Sequence, residues 1–207
     1  MNDDNVLTPT QRQAVAAARA GVRADPSSIR VRFPAAARTI ARTAADPGDL
    51  GRFRAEDQVR VFLLEAFAEV TSDQEALVQE VEALYQYGDA DERRAVLLAL
   101  SHLPIGDRAL ELVRDALRSN DTRLVVAALG GYGQQHLDPD AWRHGVLKCL
   151  FMGIPLDLIT GLATRLDPTL RDMVAAYAQE RTAAGRAVPA DAQQILDLST
   201  DSTETES

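Results

Sequence analysis

Apolar residues recur along this chain at helical spacing. The clearest run is Val59, Phe62, Leu63, Ala66, Phe67 and Val70, which fall at i, i+3, i+4, i+7, i+8 and i+11 and make one stripe on a helix starting near residue 55. Thr71 ends that helix, and Ser72 with Glu75 reads as a capping box that opens the next. Leu77, Val81, Leu84 and Tyr85 line this second helix, and Gly88 sits where a C′ glycine belongs. Asp89 then caps a helix over 90–102, bearing Val96, Ala99, Leu100 and Leu103. Further helices are expected over 105–119, striped by Leu112, Val113 and Ala116, and over 121–129. Gly130-Gly131-Tyr132-Gly133 reads as a break.

The flanks follow the same logic. Thr8-Pro9 supplies an N-cap and a first-turn proline for a helix over 9–21, stopping near Gly21. Residues 24–33 read as irregular, with a further helix from Pro34 to the Asp46-Pro47-Gly48-Asp49 break. Asp138-Pro139 starts a helix that runs to Phe151 and Gly153, and Pro155 a short piece. Asp167-Pro168 starts another, striped by Leu170, Met173, Val174 and Tyr177 and closed at Gly185, and a last helix covers 189–198. No segment alternates apolar and polar at period 2. Short turns force neighbouring helices to pack antiparallel, and the spacing of 15–20 residues between 55 and 129 is that of helix pairs in solenoids. The expected fold class is all-α, an irregular HEAT-like array of about ten short antiparallel helices (an α-α superhelix). It occupies a single domain over 9–198, between a flexible N-terminus (1–8) and a disordered acidic tail (199–207).

Composition narrows the function classes. The net charge of −9 disfavours nucleic acid as a general partner, because displacing counterions from phosphates needs a basic surface. The charge is uneven: residues 11–60 hold ten arginines against five acids, whereas 61–92 hold nine acids and no base. The two segments are expected to neutralise each other within one fold, with an acidic or phosphorylated partner for the first as the alternative. A single cysteine, Cys149, fits a reducing, cytoplasmic compartment. The first residues lack the pattern of a signal peptide, and Lys148, Pro155 and Asp157 interrupt the most apolar stretch, so no membrane span is expected.

No catalytic constellation stands out. His136, His144 and Cys149 lack metal-ligand spacing, so neither a metal nor any other cofactor is expected, and Cys149 reads as a core residue. The glycines at 130–133 lack the preceding strand and following Lys of a phosphate loop. Glu65, Glu69, Glu80 and Glu82 read as solvated helix faces, and the arginines of 30–60 as surface ion pairs. One cluster is less ordinary: Tyr132, His136, Trp142, His144 and the only lysine, Lys148, fall within twenty residues. An aromatic floor with a cationic rim would suit a small polar ligand or a partner's carboxylate.

The run Tyr132-Gly-Gln-Gln-His136-Leu137, then Trp142, Val146-Leu147-Lys148-Cys149-Leu150-Phe151, Pro155-Leu156 and Ile159-Thr-Gly161-Leu162, resembles the EboA family. So do Tyr177-Ala-Gln-Glu180-Arg181 with Ala183-Ala184-Gly185-Arg186, and Tyr87-Gly88-Asp89 with Glu92-Arg93-Arg94-Ala95-Val96-Leu97. The resemblance covers 51–190, with 9–50 matching loosely. It implies a bacterial protein of specialised metabolism, encoded beside a prenyltransferase, a sugar-phosphate-isomerase-like barrel and other enzymes, with no catalytic residues to carry over.

The function expected from these readings is that of a non-enzymatic accessory or adaptor. It would bind one of those enzymes or a metabolite intermediate in its biosynthesis or export, through Tyr132, His136, Trp142, Lys148, Arg181 and Arg186. The alternative is an enzyme with an unusual site for a phosphorylated or prenylated metabolite, using Lys148, His136 and arginines. A DNA-binding module would need the basic 11–60 segment as its concave face.

Overall fold

A computed structural model describes residues 7–43 and 50–197. The expected Asp46-Pro47-Gly48-Asp49 break, the tail at 199–207 and most of the N-terminal segment lie outside the described residues. Within them the fold is all-α, with twelve α-helices, three short 3-10 turns and no strand. No helix among the described residues is long and apolar enough to cross a membrane. The chain divides into two compact units, one ending at His136 and one starting at Leu137.

The first unit holds α1 (Pro9–Ala24), α2 (Ile29–Thr39), α3 (Ala55–Val70), α4 (Gln74–Tyr87), α5 (Ala90–Ala99), α6 (Leu110–Arg118), α7 (Thr122–Ala128) and α8 (Gly131–His136). Its centre is α3, against which α1, α2, α4 and α5 all pack. This surrounds α3 rather than seating one stripe, and Val59, Leu63, Leu64 and Ala66 are fully buried together with Val61 and Phe67.

Several starts and stops differ from the sequence reading, each for a local reason. Residues expected to be irregular belong to the end of α1, a 3-10 turn at Pro26–Ser28 and the start of α2. Here Ile29, Phe33 and Ala36 form a buried stripe at i, i+4 and i+7, and Pro34 lies inside the helix as a missing donor that this packing outweighs. The cap of α4 is Asp73, whose carboxylate accepts from the Glu75 N–H at 2.9 Å, rather than Ser72. The glycine-rich break is confined to Leu129 and Gly130, between α7 and α8; Gly131 to Gly133 already belong to α8, where Tyr132 and Gly133 are buried.

Gly88 does not take the left-handed C′ conformation. It is required by close approach: a Cβ there would lie 2.5 Å from the Leu84 carbonyl oxygen and 2.9 Å from Glu92 Cβ. The α4–α5 turn is therefore tight enough to bring Tyr87, Gly88 and Glu92 onto one wall.

The second unit holds α9 (Pro139–Met152), α10 (Leu162–Arg165), α11 (Pro168–Ala183) and α12 (Ala190–Asp197). As the Asp-Pro pairs predict, Asp138 and Asp167 cap α9 and α11 with a proline at the first helical position. Gly153 ends α9 at a φ of 67°, the conformation that favours glycine there. Helix α11 packs on α9 and α12, and Trp142, Val146, Leu170, Val174 and Ile195 are buried.

Candidate functional site

The first unit contains a cleft of about 370 Å³ between α2, α4 and the start of α5. Its apolar lining comes from Pro34, Ala83 and Leu84, and the Tyr87 ring stands 85% exposed among the lining residues. Its charges are Arg30, Glu80 and Glu92. The Glu80 side chain is buried and takes a forked ion pair from Arg30, with Arg30 Nε 3.0 Å from Oε1 and the terminal nitrogen 2.8 Å from Oε2. Arg30 itself is largely exposed, so it covers the carboxylate from the solvent side, and hydrogen bonding to Glu80 raises its already high pKa. Glu80 was expected on a solvated face; it is buried because α2 packs on α3 and carries Arg30 over it.

A second tier of charge lies on α3. Arg60 is buried, its Nε donating to the Phe33 carbonyl at 3.2 Å and its NH2 lying 3.8 Å from Glu92 Oε1. Asp57 and Arg94 form a buried ion pair, and Arg94 also donates to the Arg52 carbonyl at 2.7 Å. Glu56 accepts from the Thr43 backbone N–H at 2.7 Å. Burial raises the pKa of Asp57 above the usual carboxylate range, against the opposing pull of Arg94. Asp57 Oδ1, Gln58 Oε1 and Arg60 NH1 are buried without a hydrogen-bond partner among the described residues. Buried charge is costly unless paired, so the Asp57–Arg94 and Arg60–Glu92 pairs are what let α3 carry this polar tier, while the three unpartnered atoms keep part of that cost.

Chemically the cleft offers two carboxylates, each held by an arginine, beside an apolar wall and an exposed aromatic ring. That combination suits orientation of a small molecule with a polar head and an apolar body. Its size lies near the lower end of the range for small-molecule pockets.

The residues singled out from the sequence are distributed over both units. In the first, the Tyr132 and His136 rings pack 4.5 Å apart at 43°, and the Tyr132 hydroxyl accepts from the Ala109 backbone N–H at 3.0 Å. His136 is half-buried. In the second, Trp142 is buried beneath Arg165, whose guanidinium carbon lies 4.5 Å from the ring centroid while NH2 donates to the Leu137 carbonyl at 2.8 Å. The cation stacked on the tryptophan is thus Arg165, a residue that sequence spacing did not suggest because it follows the Gly161 turn. Lys148 is half-buried on the same helix as Trp142.

Arg181 Nε donates to the Ala187 carbonyl at 2.6 Å, and its guanidinium packs over Tyr177, so it fastens the end of α11. Arg186 is exposed. Cys149 is fully buried, which pushes its thiol up to about 12. Among the described residues no three His, Cys, Asp or Glu side chains are grouped so as to hold a metal ion.

Arg30, Glu80 and Arg60 were not visible as site residues, since each looks like ordinary helix-surface charge until four helices surround α3. A signal for the rest did exist. Tyr87, Gly88 and Glu92 lie in one of the runs that carry the family resemblance, and all three line the cleft.

No curated protein and no solved structure matches the chain. A family model does match, over residues 35–197, and its description is "Metabolite traffic protein EboA". That span is most of the chain and includes all of the cleft except Arg30 and Pro34, which lie just before it. The chain belongs to the EboA family.

Proposed function

We propose that the protein is a non-enzymatic accessory of specialised metabolism that binds a small metabolite intermediate in the α2–α4–α5 cleft. It would present that intermediate to, or receive it from, an enzyme encoded beside it, a prenyltransferase or a sugar-phosphate-isomerase-like barrel. The observation that carries this reading is the cleft itself: a pocket of small-molecule size, with Glu80 pre-oriented by the Arg30 fork and Glu92 ion-paired with Arg60, against an apolar wall. Pre-oriented charge reduces the ordering cost of binding, which favours a ligand with a defined polar head. The description attached to the family, metabolite traffic, is compatible with binding and hand-over.

The test is purification under native conditions from cells expressing the neighbouring genes, followed by mass spectrometry of released small molecules and of co-purifying proteins. A bound metabolite at near-stoichiometric level, with or without a neighbouring enzyme, supports the proposal. Protein recovered with neither contradicts it.

A further inference from the structure

A different pocket in the first unit has a chemistry of its own. Arg12, Arg19 and Arg23 fall at i, i+7 and i+11 on α1 and therefore share one face of the helix. All three line a pocket of about 250 Å³ together with Leu7, Val15, Ala16 and Phe62. Arg19 and Arg23 are set by Glu69, with Arg19 NH2 2.9 Å from Oε1 and Arg23 Nε 2.6 Å from Oε2, and Arg19 also stacks over the Phe62 ring at 5.4 Å. Hydrogen bonding to Arg23 lowers the Glu69 pKa, so that carboxylate stays charged and keeps both guanidinia in place.

Two donors are left over. Arg12 is exposed and has no ion-pair or side-chain hydrogen-bond partner among the described residues, and Arg19 Nε is buried without one. The pocket thus combines unspent guanidinium capacity with an apolar floor, on a chain whose net charge of −9 would repel anions elsewhere.

We infer that this α1 pocket binds an anion carried on an apolar chain, a phosphate or carboxylate whose head pairs with Arg12 and Arg19 and whose tail lies against Val15 and Phe62. The planar guanidinium forks match the two oxygens of such a head. The aliphatic wall accounts for preference over the bare anion. The ligand could arrive as a free molecule or as a lipid headgroup, and the same contacts serve both. This site is separate from the α2–α4–α5 cleft, with no lining residue in common.

The probe is octyl phosphate, titrated by calorimetry against the full chain, with inorganic phosphate as the head-only control. Saturable binding at least about tenfold tighter than inorganic phosphate is expected. Arg12→Ala should weaken it by about tenfold, the loss of one charged hydrogen bond, at unchanged melting temperature because Arg12 carries no ion pair among the described residues. Ala16→Trp, which fills the pocket from an exposed helix position, should abolish the preference for the octyl chain. Sedimentation with phosphatidylglycerol vesicles separates the sources: pelleting that Arg12→Ala abolishes identifies a headgroup, and its absence alongside octyl phosphate binding identifies a free ligand. The inference is overturned if neither probe binds, or if both bind Arg12→Ala and Ala16→Trp as well as the native chain.

Discussion

Arg94 and Asp57 meet inside the first unit as a buried ion pair, joining α5 to the first turn of α3. Asp57 Oδ2 also accepts from the Arg54 backbone N–H at 3.0 Å, so one carboxylate both caps α3 and binds α5. Removing one partner leaves the other charged and buried. Asp57→Ala is expected to lower unfolding free energy by about 3–5 kcal/mol. The double variant Asp57→Ala/Arg94→Met should lose less than the sum of the two single changes. Urea denaturation followed by circular dichroism measures this, and an unchanged midpoint in Asp57→Ala would remove the pair from the account.

Gly88→Ala addresses the tight turn between α4 and α5. The added Cβ meets a backbone oxygen, which cannot rotate aside as a side-chain tip could. A loss of about 1–3 kcal/mol is expected from the forced shift. The Glu92 side of the cleft should move with it. Hydrogen exchange of amides 84–92 that rises in the variant would show the turn opening; unchanged exchange and stability would show that the approach relaxes freely.

Two helix caps make stability fall in acid. Asp121 caps α7 and is paired with Arg123, and Asp167 caps α11 and is paired with Arg143; in each case hydrogen bonding from the arginine lowers the pKa below the usual 3.8. With the folded value depressed, their contribution is complete above the unfolded value and is lost as pH falls through the folded one. Burial shifts Asp57 the other way, so its contribution declines as pH rises past its ordinary value. Comparing the native chain with Asp121→Asn/Asp167→Asn cancels the Asp57 effect, which both share. The native chain should lose more stability than the variant between about pH 5 and pH 2; parallel curves would contradict the assignment.

Cys149 should be chemically silent in the folded protein. With its thiol pushed up to about 12 by burial, almost no thiolate exists at neutral pH. A thiol reagent such as dithiobis-nitrobenzoate is expected to react only at the rate of unfolding. Rapid stoichiometric reaction in native buffer would place the thiol at the surface.

The all-α character was legible because α3 and α4 carry apolar stripes at helical spacing, and because α5 and α9 open on Asp caps while Gly88 and Gly153 close α4 and α9, signals that act within one helix. The irregular reading of 24–33 failed because Pro34 looked like a start. Only the packing of Ile29 and Phe33 on α3 shows that the helix runs through it. The glycines at 130–133 marked a real break at Gly130 but overstated its length, since Gly131, Tyr132 and Gly133 form the first turn of α8. The site was less legible than the fold. Rarity drew attention to Tyr132, Trp142 and Lys148, yet the Tyr132 hydroxyl is taken up by Ala109 and the Trp142 ring lies under Arg165. The cleft is built instead from common residue types whose meaning depends on distant partners. Arg30 and Glu80 stand fifty positions apart, a pairing that no local pattern encodes.

The most direct test of the central claim compares the native chain with Ala83→Trp, which fills the α2–α4–α5 cleft from a half-buried position on α4. Both proteins would be isolated from cells expressing the neighbouring genes, and the small molecules released on denaturation quantified by mass spectrometry. The account predicts one metabolite retained by the native chain and depleted at least about tenfold in Ala83→Trp, at similar helicity. Equal retention by the two proteins would contradict the assignment of the cleft as the binding site.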